Sequence, residues 1–250
     1  MRPGAALVLA LLAAVAACGA VRAEDAAETC KIPDSLLSTE SRLPKVEDTV
    51  KSGHALNVLV VGSRSSTING AQDSAYPARL QAALKEKLPA VPVSVSVELL
   101  PKKTAEEAAS DFAKLMEGKK LDLVIWQTGT VDALRSVDPD DFRGAVDDGV
   151  TAFQKAGADV ILMNLQYSPR TETMIAAPPY LDNVRAVAQQ HDIPLFDRFA
   201  IMRQWNDEGD FDLFSTSHGI ELAKRVHDCL GRGLSKLIID AAHIGPVQQN

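Results

Sequence analysis

The sequence lacks an excess of positive charge. It contains 26 lysines and arginines against 33 aspartates and glutamates, a formal net charge of −7. An acidic chain offers little electrostatic attraction to nucleic acid or to an anionic membrane surface. We therefore expect no nucleic-acid partner, and a ligand that is neutral or is recognised by local groups.

The chain also lacks internal repeats and any abrupt change in composition. With 250 residues, of which 46% are hydrophobic, it can bury one substantial core. We predict one globular domain over residues 56–240. The prolines, serines and scattered charges of residues 24–55 favour an irregular lead-in with at most one short helix, and residues 241–250 are predicted to form a flexible tail.

The N-terminal apolar run is too short to span a membrane. It extends from Ala5 to Ala17, follows Arg2, and has the length of a signal-peptide core. This pattern predicts a signal peptide over residues 1–23 and export to a bacterial periplasm.

Two cleavage patterns compete within this segment. "VAAC", which ends at Cys18, resembles a bacterial lipobox, in which the cysteine becomes the lipidated first residue. "VRA", before Glu24, suits ordinary signal peptidase because small side chains fit its pockets. A membrane-anchored lipoprotein and a soluble periplasmic protein both remain open, and the lipid at Cys18 would be the only association with a membrane.

Cysteines are scarce, with three in the whole chain. If Cys18 is lipidated or removed, Cys30 and Cys229 remain. In an oxidising periplasm these two could form a disulfide that closes nearly the whole domain. Two buried free thiols are the alternative, because the sequence does not supply their Cα separation.

Strand-like segments alternate with helical patterns along the chain. The strand-like segments are rich in Val, Ile and Leu and cover residues 57–61, 91–100, 121–127, 159–167 and 193–197. Helical patterns cover residues 75–88, 104–118, 138–157, 178–192 and about 219–239. This alternation predicts an α/β fold, namely a flavodoxin-like three-layer α/β/α sandwich whose five-stranded parallel sheet has the order 2-1-3-4-5.

Polar residues concentrate in the loops that follow the predicted strands. The loops read "GSRSST", "TGTVDAL" and "QYSPR", and "STSHGIE" precedes the last helix. In parallel sheets of this kind the ligand crevice lies beyond the carboxyl ends of the strands, where the strand order reverses. We therefore expect the functional site in these loops, next to strands 1 and 3.

In order and spacing these loops resemble the blocks of the SGNH (GDSL-type) hydrolase family, over residues 56–238. The family has its nucleophilic serine in the turn after strand 1. Aligned from Gly62 without a gap, Arg64 occupies that position; aligned backward from Thr67, Ser65 occupies it. The resemblance favours Ser65, with Ser63 and Ser66 as possible substitutes.

The second and third blocks match only in part. After strand 2 the family has a glycine, whereas this chain has "LLPKKTAEE". The third block, Gly-x-Asn-Asp in the family, reads "GTVD". Gly129, Thr130 and Asp132 fit this block, but Val131 replaces the asparagine whose amide would be an oxyanion donor.

The last block, Asp-x-x-His in the family, admits two alignments. In one, His218 is the general base and either Asp212 or Glu221 orients it. In the other, the pair is reversed and becomes His218 followed by Glu221. A metal site formed by His218, Glu221 and His227 is disfavoured because the two histidines are too far apart along the helix.

The resemblance implies an exported esterase that removes acetyl or acyl groups from a cell-envelope carbohydrate or lipid, without cofactor or metal. Ser65 would attack the carbonyl carbon and His218 would take its proton, while the backbone N–H groups of Ser65 and Gly129 would hold the oxyanion. The predicted substrate contacts are Thr130, Asp132, Gln166, Tyr167 and Arg170. The departures from the family pattern predict weak or lost activity, and the alternative is a non-catalytic periplasmic binding or accessory protein that retains the fold.

Overall fold

The computed structural model describes residues 30–214 and 219–245. Contacts divide the chain into two units, Met1–Lys31 and Ile32–Asn250. Only Cys30 and Lys31 of the first unit are described, so the fold below is that of the second unit. The predicted signal peptide and the lipidation site at Cys18 lie outside the described residues.

A five-stranded parallel sheet forms the centre of the fold, in the order β2-β1-β3-β4-β5. The strands are β1 (Leu56–Gly62), β2 (Val93–Leu99), β3 (Leu123–Gln127), β4 (Asp159–Met163) and β5 (Leu195–Phe196). The predicted fold class and strand order are confirmed.

Helices connect the strands and flank the sheet. They are α1 (Asp34–Leu37), α2 (Pro44–Lys51), α3 (Tyr76–Lys87), α4 (Ala105–Ala109), α5 (Phe112–Met116), α6 (Thr130–Arg135), α7 (Pro139–Lys155), α8 (Pro169–Met174), α9 (Ala177–Gln190), α10 (Arg198–Asp207) and α11 (Gly219–Ala241). In the described part of the chain, none of them is long and apolar enough to cross a membrane.

The three central strands are buried because helices cover both faces of the sheet. Every residue of β3 is buried, as are all residues of β1 except Asn57. On one face, Trp126 of β3 packs edge-on against Phe112 with ring centroids 4.9 Å apart. Gly149 of α7 makes room for this indole, since a Cβ there would lie 2.4 Å from Trp126 Cζ3. Continuous apolar sequence at these strands thus corresponds to burial on both sides.

Helices α6, α8 and α10 are not predicted by the sequence patterns, and two further segments also differ. The helix predicted over residues 104–118 is two short helices, because Ser110 Oγ donates to the Glu107 carbonyl at 2.9 Å and the chain turns there. The lead-in, predicted to be irregular, contains α1 and α2. Its Leu43 and Val46 are buried, and Asp159 Oδ2 accepts a hydrogen bond from Val46 N at 2.9 Å.

Candidate functional site

The turn after β1 presents three serines in different environments. A single 3₁₀ turn spans Arg64–Ser66. Gly62 permits the turn to fold back over the strand end, because a Cβ there would lie 2.1 Å from Ser66 Oγ. Ser66 is buried, Ser63 and Ser65 are partly exposed, and Arg64 is exposed. The backbone therefore directs Ser65, and not Arg64, toward the interior of the site.

The side-chain amide of Gln127, at the end of β3, holds all three serines. Its Nε2 donates to Ser65 Oγ at 2.8 Å and to Ser63 Oγ at 3.0 Å. Its Oε1 accepts from Ser66 Oγ at 2.9 Å and from the Tyr76 hydroxyl at 3.3 Å. Sequence analysis did not identify Gln127, and its place at the carboxyl end of a central strand was the one signal that pointed to it.

A buried arginine completes this hydroxyl cluster. Arg198 is 1% exposed, and its Nη1 donates to Gln127 Oε1 at 3.0 Å and approaches Ser65 Oγ at 3.4 Å. Its Nε and Nη2 are buried and have no hydrogen-bond partner among the described residues. Burial lowers the pKa of Arg198 to about 10, so the guanidinium remains charged at neutral pH. This residue, too, was missed by sequence analysis.

A second amide fixes the chain that carries Arg198. Asn164, fully buried after β4, donates from Nδ2 to Asp197 Oδ1 at 2.7 Å and accepts from Phe199 N at 3.0 Å. Asp197 in turn caps α10 by accepting from Ala200 N at 3.0 Å. These bonds lock the first turn of α10, where Arg198 lies, against the end of β4.

A neutral histidine lies behind the cluster. His227 Nδ1 accepts a hydrogen bond from Tyr76 N at 2.9 Å, which places the ring proton on Nε2. Burial, and secondarily the charge of Arg198, lowers the pKa of His227 to about 4. His227 is therefore uncharged at neutral pH and adds no second positive charge beside Arg198.

The loop after β3 is held from inside by Asp132. Its Oδ1 accepts from Ala105 N at 2.8 Å, and its side chain is 1% exposed. Burial raises the pKa of this carboxyl, and backbone hydrogen bonds from Ala105, Asp132 and Gly129 act in the opposite direction. Asp132 is predicted to contact substrate; its carboxyl is engaged by backbone N–H groups, but the residue also lines the pocket at the ends of β1 and β3, so a substrate contact stays a prediction. The backbone of Gly129, predicted to face an oxyanion, contributes to the same interior arrangement.

A small pocket opens at the point where the strand order reverses. Its volume is about 30 Å³, roughly that of one or two water molecules. Its walls include Ser63, Gln127, Gly129, Thr130, Val131 and Trp126. The pocket thus lies between the ends of β1 and β3, where the crevice was expected.

The residues predicted after β4 are dispersed. Gln166 N donates to Thr130 Oγ1 at 3.3 Å, which joins two loops of the site. Tyr167 is 3% exposed and packs edge-on against Phe199, so the expected substrate contact is replaced by a core contact. Arg170 is exposed on α8.

Comparison with known proteins identifies the family. The family model described as the non-GDSL lipase-like family matches residues 29–244. The chain belongs to the non-GDSL lipase-like family. Among curated protein sequences, none matches the chain.

Solved structures with the same fold include several esterases. TesA is 20% identical, with a TM-score of 0.55, and the match covers 72% of this chain and 99% of TesA. AlinE4, an SGNH-hydrolase family esterase, is 18% identical with a TM-score of 0.52, covering 66% and 85%. A variant of Axe2, an acetyl-xylooligosaccharide esterase from Geobacillus Stearmophilus, is 14% identical with a TM-score of 0.60, covering 79% and 99%. The resemblance to SGNH hydrolases is confirmed for the fold.

The final block of this non-GDSL lipase-like protein is only partly described. His218 lies outside the described residues, so its role as base stays a prediction. Glu221 is exposed in the first turn of α11, where its Oε1 accepts from Lys224 Nζ at 2.7 Å. Asp212 is exposed and accepts from Phe214 N at 3.2 Å.

The two cysteines in the described part of the chain are both oxidised. Cys30 and Cys229 are each disulfide-bonded in the structure. Their pairing with each other is the prediction from the sequence.

The geometry brings together a serine oxygen, two N–H donors and a buried cation. An oxygen that accepts from Gln127 and faces Arg198 can carry negative charge at lower cost than a serine in water. This non-GDSL lipase-like family member thus keeps a polarised hydroxyl at the carboxyl edge of its sheet, although its turn reads "GSRSST".

Proposed function

We propose that the chain is a serine hydrolase that cleaves carboxylic esters, with Ser65 as its nucleophile. The observation that carries this proposal is the 2.8 Å hydrogen bond from Gln127 Nε2 to Ser65 Oγ at the carboxyl edge of the sheet. Ser65 would form the bond to the ester carbonyl carbon as its proton passes to a base, for which His218 is the sequence candidate. The alcohol then leaves with that proton, and water releases the acid.

The dimensions of the pocket favour a short acyl group. The pocket beside Ser63 and Gln127 has a volume of about 30 Å³, too small to bury a long acyl chain, and each methylene left unburied forgoes about 0.8 kcal/mol of binding free energy. The proposed substrate is therefore an acetyl ester of a cell-envelope carbohydrate, and the predicted signal peptide supports such a location. A lipid ester would need a larger acyl site.

Labelling with a fluorophosphonate tests the nucleophile. The purified protein is treated with this serine-directed reagent, the labelled peptide is mapped by mass spectrometry, and hydrolysis of p-nitrophenyl acetate is followed in parallel. Ser65→Ala should abolish both signals. Ser63→Ala is the matched comparison, since Ser63 is bonded to the same amide at 3.0 Å, and it should retain the label at Ser65.

Two results would reject the assignment. Label at a serine other than Ser65 would move the nucleophile, and absence of label and of p-nitrophenyl acetate hydrolysis in the unsubstituted protein would remove the hydrolase proposal altogether. Faster hydrolysis of p-nitrophenyl octanoate than of the acetate would contradict the proposed acyl size.

A second function, recognition of an envelope glycan without catalysis, is favoured by the loop after β3. Val131, which lines the pocket, offers no amide donor, and Gly129 takes part in the interior contacts of Asp132. A site with these donors missing is expected to lose on the order of 10²–10³ in rate. Binding of acetylated oligosaccharide by calorimetry, without product formation or labelling, would support this function.

A further inference from the structure

Arg198 is a buried cation without an acidic partner. It is 1% exposed, and among the described residues it forms no ion pair. The groups around it are neutral: the Gln127 amide and the Ser65 hydroxyl accept its hydrogen bonds, and Tyr76 and His227 lie close enough to interact with its charge. Burial raises the pKa of Tyr76, so this phenol is not an anion at neutral pH.

The fold gains little from a charge at this place. Moving an ammonium-sized or guanidinium-sized ion out of water is costly, and a partner ion normally offsets part of that cost. Here two of the guanidinium nitrogens, Nε and Nη2, have no partner in the part of the chain that the structure describes. Gln127 Oε1, which accepts from Arg198, also accepts from Ser66 and Tyr76 and would stay satisfied without it. An apolar side chain of similar length would therefore serve folding better.

The charge is instead directed at Ser65 by two routes. Arg198 Nη1 lies 3.4 Å from Ser65 Oγ. It also donates at 3.0 Å to Gln127 Oε1, while Gln127 Nε2 donates at 2.8 Å to the same serine oxygen. Hydrogen bonds in series polarise one another. A hydroxyl oxygen has two acceptor positions. Both are taken by these N–H groups, so the hydroxyl of Ser65 donates its proton to Ser63 Oγ, 3.3 Å away.

We propose that Arg198 is a catalytic residue that stabilises the negative charge on the Ser65 oxygen during attack on the ester, a role that rests on the proposed function. A base removes the Ser65 proton, and the electron pair of the O–H bond stays on the oxygen. That pair forms the bond to the carbonyl carbon while the π pair of the carbonyl moves to its own oxygen. Arg198 keeps all its protons throughout, as does Gln127.

The test compares Arg198→Met, which removes the charge, with Arg198→Lys, which keeps it. The rate constant for fluorophosphonate labelling of Ser65 is measured across neutral and alkaline pH, together with the midpoint of thermal unfolding. Arg198→Met should slow labelling by on the order of 10²–10³ and shift its pH profile upward. The shift follows because loss of a nearby cation raises the pKa of the Ser65 hydroxyl. Arg198→Lys should retain part of the rate and a profile closer to that of the parent.

The unfolding midpoint separates catalysis from a structural role. Because the charge is uncompensated, Arg198→Met should unfold at the same temperature as the parent or higher. Arg143→Met, an exposed arginine on α7, is the control and should change neither the rate nor the midpoint. The other titratable groups facing Arg198, Tyr76 from α3 and His227 from α11, stay neutral over this pH range.

Each outcome bears on one proposal or both. A parent-like rate and profile in Arg198→Met would overturn the role of Arg198 and leave Ser65 as nucleophile. If Arg198→Met unfolds, the Lys variant decides: slower labelling in a folded protein supports the role, whereas an unchanged rate and profile refute it. An unlabelled parent would reject the hydrolase proposal together with the role of Arg198.

Discussion

Replacing Gln127 by methionine should separate the hydrogen-bonding role of this side chain from its volume. Methionine has a similar length and no branching, but it neither donates nor accepts comparable hydrogen bonds. Gln127 is 7% exposed and bonds to Ser63, Ser65, Ser66 and Arg198 among others. The substitution therefore keeps the packing and removes the centre of the polar cluster.

The expected loss follows from the partners left behind. Arg198 loses its 3.0 Å acceptor and, because bonds to charged groups contribute about 1.5–3 kcal/mol, accounts for most of the change. The hydroxyl oxygens of Ser66 and Tyr76 lie 3.2 Å apart and can still form a hydrogen bond with each other. This limits their contribution to the loss of stability to about 1 kcal/mol. Ser63 and Ser65 are partly exposed and can bond to water. Gln127→Met should thus lower the free energy of unfolding by about 2.5–4 kcal/mol.

Urea unfolding followed by tryptophan fluorescence measures this difference, because Trp126 and Trp205 are both buried. Gln189→Met, at an exposed position of α9, is the control and should stay within about 0.5 kcal/mol of the parent. A loss below about 1 kcal/mol for Gln127→Met would show that the amide network does not stabilise the site, and parent-like labelling of Ser65 would show that it does not activate the serine.

Other predictions concern the rest of the fold. Burial raises the pKa of Asp159 from 3.8 to about 6, so the folded state binds this proton more tightly than the unfolded state, and the free energy of unfolding falls as pH rises across that interval. Asp159→Asn should remove this fall, which is roughly 1–2 kcal/mol after solvent screening. Urea unfolding of the parent and the variant at about pH 4 and pH 7 measures the difference. Gly149→Ala should destabilise by about 1–3 kcal/mol, because its Cβ would lie 2.4 Å from Trp126. Gly144→Ala, in the same helix with open space, should instead stabilise by about 0.5–1 kcal/mol; equal effects of the two would contradict the packing argument.

The sheet was predictable from the sequence because its signal is local. Runs such as "NVLVV" and "LDLVIWQ" are apolar at successive positions and therefore on both faces of a strand. Strands of this kind that alternate with helices are compatible with few sheet topologies. The break between α4 and α5 at Ser110 was not predictable, since it depends on which backbone carbonyl accepts the hydrogen bond of the Ser110 hydroxyl. Helix α10 also escaped prediction, because "RFAIMRQWND" buries one face only through contacts with distant segments.

The location of the candidate site could be predicted from the sequence, but several of its residues could not. The turn holding Ser65 was located because strand ends converge at one edge of a parallel sheet. Arg198 and Gln127 belong to no motif. Gln127 ends β3 and Arg198 follows β5, and these segments, distant in sequence, reach Ser65 after β1 only in the folded sheet. Conversely, Tyr167 lies in the expected loop but packs into the core against Phe199, since a loop pattern does not tell which side chains turn toward the crevice.

The hydrogen bond between Tyr76 and His227 also has a consequence for biosynthesis. It joins residues 151 positions apart, across α3 and α11. Contacts of such sequence separation form late, because loop-closure entropy must be overcome first. A growing chain therefore carries the serines of the turn in water until the last helix has been synthesised and docked. Reactivity at Ser65 should arise only at the end of folding, and a fragment that ends before α11 would carry the same serines without it.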